Sequence, residues 1–142
     1  MKKVKIGFIC TGNSARSQMA EGFGKYFAKL YGKDVEVYSA GSNPSGYVHP
    51  KAIEVMKEIG IDISDQYSKS LNEIPIDELD YVITLCGEAA ETCPVIPGAN
   101  TQHWGLPDPA KVIGQTEDTK INAFRKVRDQ IREKVEDLIK SL

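Results

Sequence analysis

The 142-residue chain carries 18 Lys and Arg against 20 Asp and Glu, a net charge of -2. That balance gives no electrostatic case for nucleic acid or an anionic membrane surface as the main partner. With 41% hydrophobic and 27% charged residues, residues 1–142 read as one globular domain able to bury a core. No apolar run approaches the roughly 18 residues that span a bilayer. The basic and then apolar start, MKKVKIGFIC, is too short in its apolar part for a signal peptide. It reads as a first strand, and the expected location is cytoplasmic. Three cysteines are an odd count and too few for a disulfide scaffold.

VKIGFI is a short apolar run ending in turn chemistry, the pattern of a buried strand. From Ser17 to about Leu30, Met19, Ala20, Phe23, Phe27 and Leu30 recur at helical spacing, and Gly32 marks the stop. VEVYSAG is a second strand. HPKAIEVMKEIG reads as a helix with Pro50 in its first turn and Gly60 just past its end. ISDQYSKSLNEIPIDEL is polar and broken by Pro75, so a loop and a short helix are expected there. DYVITLC is a third strand, EAAETC a short helical stretch cut off by Pro94, and NTQHWG a fourth, short strand. LPDPAKVIGQTED is a loop, and TKINAFRKVRDQIREKVEDLIKSL is a long amphipathic helix with a charged, solvated face. Strands alternating with helices predict an α/β fold: three layers, a four-stranded parallel sheet with helices on both faces.

The chemistry concentrates in CTGNSARS, residues 10–17, between the first strand and the first helix. Backbone N–H groups of a loop that feeds a helix N-terminus form a site for an oxyanion. Gly12 permits unusual backbone angles, while Thr11, Asn13 and Ser14 are small and polar. Arg16 can grip two anion oxygens with its fork, and five residues between it and Cys10 let it curl back over the sulfur. Ser17 is placed to bond that sulfur and to open the helix. The positive field favours a thiolate at Cys10, the candidate nucleophile. Residues 11–17, with Ala15 among them, are the expected anion-binding set. By themselves, Cys86 and Cys93 read as a strand-end residue and an incidental one. Asp108 in LPDPA reads as an Asp-Pro turn in any ordinary loop.

VKIGFICTGNSARSQMAEG resembles the catalytic loop of the low-molecular-weight protein tyrosine phosphatase superfamily. Together with VYSAG, MKEIGIDIS, VITLCGEAAETCP, HWGLPDPA and FRKVRDQI it is more similar to the thioredoxin-coupled arsenate reductases on that fold. A tyrosine phosphatase of this kind would more often have proline at Gln18 and an aromatic at Ala110. The resemblance implies arsenate as substrate, with phosphate or sulfate as analogues, and thioredoxin as reductant. It also implies a relay. Cys10 attacks arsenic, Cys86 attacks the Cys10 sulfur and releases arsenite, and Cys93 then takes over Cys86. Asp108 becomes the candidate general acid for a departing oxygen. If 87–93 were an intact helix, Cys86 and Cys93 would lie about 10 Å apart along its axis. A disulfide needs Cα atoms within roughly 4.4 to 6.8 Å, so this segment must partly unwind on oxidation. No cofactor or metal is expected, and the protein is expected to be a monomer. Two rivals stay open. One is a phosphatase that needs only Cys10, Arg16 and Asp108. The other is an anion- or arsenite-binding sensor that uses the thiols without turnover.

The chain departs from those relatives at two places. Many have a further cysteine where Ala15 stands, a thiol the relay does not need. Some hold a monovalent cation beside the loop, at positions matching Asn13, Glu21, Ser39 and an aspartate. Lys69 in ISDQYSKS stands at the aspartate's position, so its ammonium is expected either to replace the ion near Glu21 or to be a solvated surface lysine. His49 is read as a helix-start residue. His103 and Trp104 are read as packing under the Asp108 loop.

Overall fold

The computed structural model describes residues 3–86, 100–106, 109 and 116–142, with the backbone alone at residue 86. Four strands, β1 (Val4–Cys10), β2 (Val35–Gly41), β3 (Tyr81–Cys86) and β4 (Asn100–Leu106), pair in the order β2-β1-β3-β4. Every pairing is parallel. Parallel neighbours need long crossovers; α1 (Arg16–Leu30) lies in the one from β1 to β2 and α2 (Pro50–Lys57) in the one from β2 to β3. Helix α3 (Glu117–Lys140) follows β4.

The alternation along β1 explains the layering. Ile6, Phe8 and Cys10 face one cluster with Phe23 and Phe27 of α1, Val55 and Met56 of α2, and Phe124 and Ile131 of α3. Ile9 faces the other side, with Ala40, Ile74, Leu79 and Val82. That side is covered by the segment holding two 3-10 helices, Leu71–Glu73 and Ile76–Glu78. With both faces covered, the central strand has no reason to alternate with polar residues, and VKIGFI does not. Gly24 brings α1 close to β2: a Cβ there would lie 2.8 Å from Val37 Cγ1.

The expected elements recur with small shifts. α1 opens at Arg16 on an Ala15 cap that has no side-chain hydrogen bond, so Ser17 does not start the helix as expected. α3 opens two residues before Thr119, because Thr116 Oγ1 caps it by accepting from Thr119 N at 3.1 Å. His49 caps α2: its Nδ1 accepts from Lys51 N at 3.1 Å, with Pro50 in the first turn. The charged face of α3 is not wholly solvated. Arg128 is buried and donates to Val55 O at 2.9 Å and to Glu58 Oε1 at 2.8 Å. The expected helical stretch EAAETC lies outside the described residues.

Glu58 ties α2 to α3 by accepting from both Arg125 and Arg128. Arg125 above all, then Arg128, holds its carboxyl below the ordinary value near 4.5 against the opposing effect of burial. A carboxyl lowered in the folded state stabilises the fold above its unfolded pKa, and that contribution disappears as pH falls through the folded value. Solvent screens this half-exposed cluster, so Glu58→Gln should cost about 1 kcal/mol or less at pH 7. Urea midpoints should show the difference closing once the pH drops below the lowered Glu58 value.

Candidate active site

The loop after β1 is held open from outside. The carbonyls of Cys10, Thr11, Gly12 and Ser14 accept from the N–H groups of Ser42, Asn43, Ser45 and His49 at 3.2, 2.9, 2.9 and 2.8 Å. In a trans peptide the C=O and the next N–H point in opposite directions. The amides of Thr11, Gly12, Asn13 and Ala15 are thereby turned away from segment 42–49. The approach of that segment depends on Gly41, where a Cβ would sit 2.4 Å from Thr11 O. Amides turned to one side at a helix N-terminus form an anion cradle. Thr11 Oγ1 is a buried hydroxyl in this loop without a hydrogen-bond partner.

Cys10 ends β1, 2% exposed. Its sulfur accepts from Asn13 N at 3.2 Å and lies 2.8 Å from Ser17 Oγ. Ser17 thus meets one of its two expected roles. Asn13 takes φ 48°, a left-handed conformation that asparagine tolerates better than most residues. Its amide nitrogen donates to Ser17 Oγ at 2.8 Å. Toward a Cys10 thiolate, which can only accept, Ser17 turns its own hydrogen to the sulfur.

Arg16 is buried, and its Nη1 donates to Leu85 O at 3.0 Å and Leu106 O at 2.9 Å. These bonds tie one nitrogen of the fork to the carboxyl ends of β3 and β4, so the strand ends fix where the guanidinium lies. Cys86 ends β3, the strand next to β1. Ile9 pairs with Thr84, so Cys10 and Cys86 lie one and two residues beyond the same pair. The Cys86 side chain, Cys93 and Asp108 lie outside the described residues. The Asp108 loop, under which His103 and Trp104 are expected to pack, lies outside the described residues. Trp104 packs on Phe8, ring centroids 6.0 Å apart, beneath the Lys134 ammonium. His103 is exposed, and its Nδ1 meets Thr84 Oγ1.

Gln18 is a site residue that the sequence marked only as a difference from phosphatases. Fully buried, its Nε2 reaches Asn13 O at 3.0 Å, Asn13 Oδ1 at 2.9 Å and Tyr67 O at 2.9 Å. Its position straight after the loop was the available signal. The partner segment, about 50 residues away, carried none.

Behind Asn13, Lys69 is buried. Its backbone N–H donates to Asn13 Oδ1 at 2.8 Å, and its ammonium lies 3.3 Å from Glu21 Oε1, 3.5 Å from Ser39 Oγ and 2.9 Å from Tyr67 O. Of the two readings of Lys69, the solvated surface lysine is ruled out by this burial. The ammonium supplies the positive charge among the oxygens, so the residues present do not fit a monovalent cation. Lys25 also reaches Glu21, at 2.5 Å, from an exposed position. Lys69→Met should leave Glu21 under-compensated and cost about 2–4 kcal/mol, somewhat below a fully orphaned buried charge. Thermal midpoints of the unaltered protein should be equal in potassium and sodium chloride at one ionic strength. A potassium-specific rise would contradict the reading of the ammonium as the ion's replacement.

Among the described residues no helix is long and apolar enough to cross a membrane. Residues 5–142 match the low molecular weight phosphotyrosine protein phosphatase family. An arsenate reductase of Halalkalibacterium halodurans is 49% identical over 136 residues, 95% of this chain and 94% of that one. An arsenate reductase solved in the phosphate-binding state superposes with a TM-score of 0.78 at 38% identity, covering 97% of this chain and 98% of that one. A thioredoxin-dependent arsenate reductase of Corynebacterium glutamicum gives 0.72 at 32% identity, covering 98% of this chain and 61% of that one. The chain belongs to the low molecular weight phosphotyrosine protein phosphatase family and groups with the arsenate reductases built on its fold.

Proposed function

We propose that this protein reduces arsenate to arsenite with Cys10 as nucleophile, as a monomer in the cytoplasm, and is restored by thioredoxin. The observation that carries this reading is a sulfur with two hydrogen bonds aimed at it, at the mouth of a loop whose carbonyls are tied outward. The 49% identity to an arsenate reductase selects arsenate among the tetrahedral oxyanions such a cradle accepts.

The Cys10 thiolate bonds to arsenic, and one arsenate oxygen leaves as water, with Asp108 as the proton donor. The amides of residues 11–17 other than Asn13, whose N–H serves the sulfur, hold the remaining oxygens with Arg16 beside them. The Cys86 thiolate then attacks the Cys10 sulfur. The sulfur–arsenic bond breaks, its electron pair stays on arsenic, and arsenite departs from a Cys10–Cys86 disulfide. Attack by Cys93 on Cys86 frees the Cys10 thiolate and leaves a Cys86–Cys93 disulfide. Two electrons from reduced thioredoxin restore both thiols by exchange. Cys10 and Cys86 on adjacent strand ends suit the second step.

The test is arsenate-dependent oxidation of NADPH through thioredoxin and thioredoxin reductase. Turnover that rises with added thioredoxin supports the reading. Phosphomonoester hydrolysis without that turnover would favour the phosphatase, and arsenite binding without either would favour a sensor.

A further inference from the structure

We propose that Gln18 is a positioning residue that, together with Lys69 N, holds the hydrogen-bond polarity of the loop, so that Asn13 and Ser17 both donate to the Cys10 sulfur. The assignment rests on backbone groups, whose donor and acceptor roles are fixed. Tyr67 O and Asn13 O can only accept, so the Gln18 atom 2.9 and 3.0 Å from them is its NH2 nitrogen. Lys69 N can only donate, so the Asn13 atom 2.8 Å away is Oδ1. That leaves Asn13 Nδ2 facing Ser17 Oγ, 2.8 Å away, and toward a Cys10 thiolate, which can only accept, the serine hydroxyl donates. Neither amide can flip without setting like against like.

Gln18 acts on both donors to the sulfur. Through Asn13 Oδ1 it holds the side-chain amide that orients Ser17. Through Asn13 O it holds the left-handed backbone that aims Asn13 N at the sulfur. Gln18 is itself held from the surface strap at 66–67. Gln66 Nε2 donates to Gln18 Oε1 at 2.8 Å and to Gln18 O at 2.9 Å, and Tyr67 is 59% exposed. The strap therefore reaches the nucleophile through four residues, Gln66, Gln18, Asn13 and Ser17. Hydrogen bonds to the charged form of a group favour that form, so losing them should move the thiolate to higher pH. Among the described residues the charged groups around the loop are Arg16 within it, Lys69, Glu21 and Lys25 behind Asn13, and the titratable His49 bonded to Ser14 O; Asp108, the proposed proton donor, lies outside them. None of them is altered in the test.

This role rests on Cys10 being the nucleophile of the proposed reaction. The readout is the thiol itself, without arsenate, so failure of the reductase reading would leave the result interpretable. Iodoacetamide alkylation of Cys10 in the full chain is followed across pH, with the modified peptide assigned by mass spectrometry. Gln18→Met should raise the pH midpoint of alkylation by about half a unit to one unit. Ser17→Ala should raise it similarly. In the double variant the two rises should fall clearly short of their sum, because Gln18 acts partly through Ser17. If Gln18→Met does not fold, by circular dichroism, Gln18→Asn keeps the amide but withdraws it from Asn13, and should move the midpoint the same way. A merely structural Gln18 would lower the melting temperature and leave the midpoint in place. An unmoved midpoint in a folded variant, or fully additive rises, would overturn the role.

Discussion

Cys10→Ser should abolish arsenate reduction, and any phosphomonoester hydrolysis with it, down to the rate of buffer alone. The reason is protonation state. The two hydrogen bonds to Cys10 Sγ stabilise a thiolate, but a serine hydroxyl keeps its proton at neutral pH in the same cradle. Failure to fold is not the expected cause. An oxygen at this position still accepts from Asn13 N and Ser17, and removing a buried sulfur here should cost no more than about 1 kcal/mol. The Cys10→Ser variant should therefore melt close to the unaltered chain and bind arsenate or phosphate while turning over neither. Substantial arsenite production by the folded variant would sink the assignment of the nucleophile.

Cys86→Ser should separate the two chemistries that share the cradle. Hydrolysis needs Cys10, the amides and a proton donor. Arsenite release needs a second thiol to attack the Cys10 sulfur, and Cys86 on the neighbouring strand end is the proposed one. Arsenate turnover should stop in this variant while residual phosphomonoester hydrolysis survives. Cys93→Ser should fail one step later. It should release about one arsenite per protein and stall with Cys10 joined to Cys86, because no thiol remains to carry the oxidation onward. A peptide digest under non-reducing conditions would identify that linkage. The unaltered protein, oxidised by arsenate without thioredoxin, should instead yield the Cys86–Cys93 peptide pair. Normal turnover by the Cys86 variant, or three free thiols after oxidation, would falsify the relay and return the phosphatase to first place.

Much of this molecule could be read from residue order alone, and the readable part is local. The apolar runs at 4–9 and 81–86 announced strands because both faces of a central parallel strand are buried. The cysteine, glycine and arginine of 10–16 announced an anion loop because a strand–loop–helix junction presents amides whatever lies around it. Pro50 and Gly60 bracketed α2 by their backbone preferences, and Gly60 takes φ 83°. Tertiary structure alone decided the rest. The strand order places Cys86 beside Cys10, and no run of residues states which strands become neighbours. Arg16 is fixed by carbonyls 69 and 90 positions away. Lys69 could equally have been a surface lysine. It became the buried partner of Glu21 and Ser39 only because segment 66–69 packs against the loop. Gln18 carried no signal of its reach to Tyr67, 49 residues on. Propensity and periodicity act over a few residues, whereas a hydrogen bond between distant positions exists only once packing has brought its donor and acceptor within about 3 Å. The proposed nucleophile was therefore legible in the sequence as a candidate, and the network that aims hydrogen bonds at it was not.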